Sequence, residues 1–170
     1  MKKLLLILTL FLAGCVNNAP EEELTFKEKV NEYIIENDID VINRISTDEE
    51  LVIFETDKLV GMILFVEEGF VVTQKAKQKE YESGVELLYI GDEDQTYFGI
   101  IIHEEELFNF VDTAEITLLT SPDPVTFVFG EDFSRIWVKI ENRSVTSCAA
   151  EKIELFSGEE SVYAENFIPV

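Results

Sequence analysis

Two cysteines, one histidine and a large surplus of carboxylates carry the reactive chemistry of this 170-residue chain. Cys15 ends the apolar stretch "LILTLFLAGC" and is followed by Val16 and then polar Asn17-Asn18. Its thiol is a strong nucleophile, suited to forming a thioether. His103 follows "YFGIII" and precedes Glu104-Glu105-Glu106, a setting for a general base or a metal ligand beside carboxylates. Zinc sites use several His or Cys ligands, and neither HExxH nor CxxC is present. His103 therefore reads better as a strand cap at the surface. In "GDEDQTYFG", Asp92, Glu93 and Asp94 share a turn, and Asp92 and Asp94 are candidates for holding a hard cation. An EF-hand register started at Asp92 places Tyr97 where Gly is required and His103 where Glu is required, so that motif fails. A solvated hairpin tip is the favoured reading, with no metal and no cofactor expected.

Other reaction classes find less support. G-x-S-x-G, GxxxxGK[ST] and GxGxxG are all absent. Glycoside hydrolysis needs two opposed carboxylates, but 35 acidic residues will supply such a pair by chance. Trp137 in "RIWVKI" faces opposite to Ile136 and Val138. It is either an exposed platform for a ligand or, the favoured reading, the aromatic anchor of a β-rich core.

The elements around Cys15 are more specific. Met1-Lys2-Lys3 and the apolar run Leu4 to Leu12 have the form of a secretory signal peptide. The run is far shorter than the ~20 residues of a membrane-spanning helix. Leu12-Ala13-Gly14-Cys15 resembles the lipobox of bacterial lipoproteins. The resemblance implies a diacylglyceryl thioether on Cys15, cleavage before it, and a protein held at the extracytoplasmic face of the cell membrane. Two acyl chains, each buried methylene contributing about 0.8 kcal/mol, are enough for stable anchoring. The alternative is an ordinary signal peptide with an incidental cysteine. The expected organisation is a signal peptide over 1–14, a tether over 15–24 in "VNNAPEEE", and one acidic globular domain over 25–170. With Cys15 acylated, Cys148 has no partner in the chain, and "SVTSCAAEK" reads as a buried small residue.

The formal charge is −22, from 13 basic and 35 acidic residues. This opposes nucleic acid, whose phosphates need Lys and Arg, and it repels anionic lipid headgroups. Partners consistent with it are the membrane through the lipid on Cys15 and a protein or basic partner in the envelope. Solubility at an exposed surface explains the same charge.

For the domain, Thr25 and Glu28 stand at capping-box spacing, and Phe26, Val30, Tyr33 and Ile34 recur at helical spacing. The helix either stops at Glu36 or continues through "DIDVINRI" with a break at Asn37-Asp38. From Leu51 onward come short β-branched and aromatic runs separated by turns: "LVIFETD", "KLVGMILFVE", "GFVVTQKAKQ", "VELLYIG", "TYFGIIIH", "AEITLLT", "VTFVFG", "RIWVKI" and "KIELFS". Ser121-Pro122-Asp123-Pro124 reads as a breaker between two of them, and "HEEELFNFV" fits either a turn or a short helix. The fold class expected is α+β, mainly β: an N-terminal helix packed on a largely antiparallel sheet or small β-sandwich. "ELVIFETDK", "YFGIIIHEEELFNF", "SRIWVKIENRS" and "IELFSGEESVYAEN", with Gly99, Trp137 and Gly158 as markers, resemble small uncharacterised proteins and lipoproteins of Bacillus-type bacteria. That resemblance implies no activity and transfers no functional residue. The function expected is a membrane-anchored, non-enzymatic binding or interaction module; the alternative is a small calcium-dependent or carboxylate-based envelope hydrolase.

Overall fold

The computed structural model describes residues 24–47, 49–78, 84–129 and 135–167. Cys15, the expected signal peptide and all of the expected tether except Leu24 lie outside them. Helix α1 (Phe26–Glu36) begins with the capping box: Thr25 Oγ1 accepts from the Glu28 amide, and the Glu28 carboxylate accepts from the Thr25 amide at 2.8 Å. It stops at Glu36. The Asn37 side chain donates to the Tyr33 carbonyl at 2.8 Å, and Asp38 turns the chain with φ of 50°. The segment that would have prolonged it, rich in Val and Ile, instead forms strand β1 (Val41–Ser46).

Ten further strands follow among the described residues. They are β2 (Glu50–Glu55), β3 (Leu59–Val66), β4 (Val71–Gln78), β5 (Val85–Gly91), β6 (Thr96–Ile102), β7 (Thr113–Leu118), β8 (Ser121–Val128), β9 (Ile136–Glu141), β10 (Ala150–Ser157) and β11 (Glu160–Asn166). Between β6 and β7, "HEEELFNFV" resolves into a short helix, α2 (Glu105–Phe110). The strands form three sheets of order β1-β2-β3-β4, β5-β6-β9 and β11-β10-β7-β8. Every pairing is antiparallel. The molecule is therefore mainly β with short helices.

The sheets stack with β5-β6-β9 in the middle. Successive side chains of β6 point to opposite faces. Phe98, Ile100 and Ile102 join Ile116, Leu118, Val125, Ile153 and Leu155 of the third sheet. Tyr97 and Ile101 join Leu51, Ile53, Val60, Met62 and Leu64 of the first. A strand covered on both faces needs apolar residues at successive positions, which is why β6 reads as an unbroken run and is buried throughout. On the far face of the first sheet, Val30 clusters with Val52, Phe54, Ile63 and Phe65, and the Tyr33 and Phe65 rings meet edge to face at 5.4 Å.

One expected boundary is corrected. Ser121-Pro122-Asp123-Pro124 does not separate two strands but forms the first half of β8. Because β8 closes one edge of its sheet, prolines lacking an N–H are tolerated there. The pairing with β7 slips between Ile116 and Leu118, at the same level. The reversal falls instead at Leu119-Thr120, between β7 and β8. At the other end of the chain, Gly158 with φ of 60° turns β10 into β11, and its N–H donates to Asp112 Oδ2 at 2.7 Å.

Candidate ligand groove

Two of the chain's lysines stand on one face of β4. In "TQKAKQ", Lys75 and Lys77 are two residues apart, so both project to the same side of the strand. Lys75 lies opposite Met62 and Lys77 opposite Val60 on β3, whose side chains face the middle sheet. Both ammonium groups thus reach across to β5, the edge strand of the middle sheet. Lys75 Nζ sits 3.4 Å from the centre of the Tyr89 ring, a cation–π contact. Lys77 Nζ forms an ion pair with Glu86 Oε2, and the Glu86 side chain has no exposed surface. Lys75 is matched by no carboxylate within ion-pair distance among the described residues. Partial withdrawal from water lowers its pKa from the usual 10.5.

These side chains border a groove of about 350 Å³ where the three sheets meet. Met62, Lys75, Ala76 and Lys77 line it from the first sheet, Leu87, Leu88 and Tyr89 from the middle one, and Ala149, Ala150 and Phe167 from the third. Backbone bonds hold the third side: the Phe167 amide donates to the Glu151 carbonyl, and the Leu119 amide to the Ala149 carbonyl, both at 2.9 Å. Gly61 behind the groove is there for space. A Cβ on it would come within 2.5 Å of Phe54 Cζ and 2.7 Å of the Lys75 carbonyl oxygen, pushing β4 outward. The groove therefore has apolar walls, two ammonium groups at one side and a rigid strand frame, the composition of a small-molecule site.

No family model, curated protein or solved structure matches this chain.

The residues singled out from sequence lie elsewhere. Asp92 is turned onto its own backbone: Oδ1 accepts from the amides of Asp94 and Gln95 at 2.8 and 2.9 Å. These bonds hold its carboxyl below the usual 3.8. The carboxylate thus closes the β5–β6 hairpin. Because the folded pKa is the depressed one, this contribution is complete above about pH 4 and fades as pH falls further. Asp92→Ala is expected to lower stability by about 1 kcal/mol at pH 7. The gap from wild type should narrow on acidification below pH 4; urea titrations at both pH values check it.

His103 prolongs the edge of β6, its amide donating to the Gly84 carbonyl at 2.8 Å. Its ring lines a shallow cleft with Ile102, Glu105, Phe108 and Arg135. Among the described residues no group of three or more His, Cys, Asp or Glu is placed to hold a metal ion. Cys148 is buried, with Sγ 3.2 Å from the Ser144 carbonyl. Trp137 is half-buried against the middle and third sheets, its ring 4.6 Å from that of Phe129. Tyr97 adds a buried polar contact, Oη donating to Glu49 Oε2 at 2.6 Å; burial pushes its phenol pKa well up.

Sequence reasoning passed over Lys75, Lys77, Glu86 and Tyr89. The signal available was the alternation Lys75, Lys77, Lys79 in "KAKQK", in a chain with only 13 basic residues. Lysines on one face of an edge strand are ordinarily a solvated face, and only the stacking of the sheets sets this partly exposed face beside β5.

Proposed function

We propose that this protein is a lipid-anchored extracytoplasmic lipoprotein whose globular domain is a non-enzymatic binding module. The observation that supports binding is the groove between the three sheets, with apolar walls and its ammonium groups on one rim. The anchor rests on Leu12-Ala13-Gly14-Cys15 after a basic start and a short apolar run. Among the described residues no helix is long and apolar enough to cross a membrane. In this reading α1, seated on the outer face of the first sheet, is the first rigid element after the tether. The net charge of −22 keeps the domain off an anionic bilayer and suits a basic partner in the envelope.

The experiment is intact mass and membrane partitioning of wild type and Cys15→Ala, expressed in a bacterium that processes lipoproteins. Wild type is expected in the membrane fraction, begins at Cys15 and carries the diacylglyceryl mass. Cys15→Ala is expected to lose both the acyl mass and the membrane association. A wild type that is released without lipid refutes the anchor.

A further inference from the structure

We infer that the groove takes a small amphiphilic anion, a single carboxylate on an apolar alkyl or aryl body, with Lys75 as its counter-ion. The inference rests on the binding reading above and names the ligand's chemistry. Two features fix that chemistry. The first is charge. Lys77 is matched by Glu86, whereas Lys75 has only the face of Tyr89 opposite its ammonium among the described residues. Among the described residues the rim therefore carries one unmatched positive charge, which calls for one negative charge on the ligand. A second negative charge on the ligand would find no second unmatched cation at the rim among the described residues and would be repelled by the acidic surface of the chain. The second is shape. Met62, Leu87, Leu88, Ala150 and Phe167 supply an apolar lining, and 350 Å³ lies at the small end of ligand sites, which run from about 300 to 1,000 Å³. An apolar body of modest size fills that lining while its carboxylate reaches Lys75 at the mouth. The ammonium is partly withdrawn from water there, so an ion pair with the ligand is stronger than one on an open surface. Lys75 belongs to an exposed edge strand, so replacing it leaves the three apolar clusters intact.

The test is isothermal titration of the domain with decanoate and with 4-phenylbutyrate, the alkyl and aryl arms. Decyltrimethylammonium and neutral decanol serve as charge controls, and wild type is compared with Lys75→Met and Lys75→Arg. One or both carboxylates are expected to bind saturably, at least about tenfold more tightly than the cation or the alcohol. Lys75→Met is expected to erase that preference and Lys75→Arg to keep it, each with the wild-type melting temperature. If decanol binds as tightly as decanoate, or Lys75→Met leaves carboxylate affinity unchanged, the anion assignment is wrong and the groove remains a binding site. If none of the probes binds, the assignment and the groove's part in the binding reading both fall.

Discussion

Phe98→Ala is expected to cost about 3–5 kcal/mol, the range for removing a buried phenylalanine from a core that cannot collapse onto the gap. Phe98 has no exposed surface and belongs to the central strand of the middle sheet. Its ring is 6.1 Å from that of Tyr89 and packs in the cluster shared with the third sheet. Relaxation into the cavity would require either β6 or the third sheet to move. β6 is pinned on both sides by β5 and β9, and its opposite face is held by the first sheet. The loss is a large part of the roughly 5–15 kcal/mol by which a domain is stable. Urea unfolding should show a lower midpoint with an unchanged slope. Val128→Ala is the control: Val128 is 77 % exposed, and its loss should stay within about 0.5 kcal/mol. A Phe98→Ala cost below about 1 kcal/mol would contradict a middle sheet packed on both faces.

Lys77→Met is expected to cost a comparable amount, about 3–5 kcal/mol, for an electrostatic reason. It leaves the apolar stem of the side chain nearly unchanged and removes the ammonium paired with Glu86. The Glu86 carboxylate, with no exposed surface, then loses that cation in a place where water does not solvate it. The pair itself is worth much less than its breaking, because burying both charges already carries a desolvation cost. The double variant Lys77→Met/Glu86→Leu should therefore recover most of the single-variant loss. Denaturant titration of the two single variants and the double one gives the coupling directly. A double variant as unstable as Lys77→Met alone would show that the charge pair is not the cause.

The sequence made the start of α1 readable because capping is local: Thr25 and Glu28 bond within one turn. Most strands were readable for the same reason, since runs such as "LVIFETD" and "TYFGIIIH" have few other uses. β1 and β11 were not, and neither has a fully buried residue: β1 is partly and β11 mostly exposed at a sheet edge, where burial imposes no alternation. β8 was placed too late because proline carries a breaking signal that an edge position cancels. The groove was hidden for a different reason. Met62, Lys75, Tyr89, Ala150 and Phe167 come from five separate stretches, and only the stacking order of the sheets brings them together.

That stacking order also sets a timetable for folding. The first sheet is a meander of neighbours in sequence, complete once the chain has reached Gln78. The middle sheet is not: its third strand, β9, pairs with β6 only after β7, α2 and β8 have been passed. Long-range pairing of this kind is slow, because loop closure precedes the contacts that reward it. In a chain exported N-terminus first and anchored as proposed, Thr96–Ile102 pairs at once with β5 but waits for its second neighbour until Glu141 has emerged. A strand buried throughout in the finished fold thus keeps one edge open over that interval, and sticking to other chains is the hazard the topology creates. A high negative charge on every copy works against such encounters, which gives the surplus of carboxylates a use during folding as well as after it.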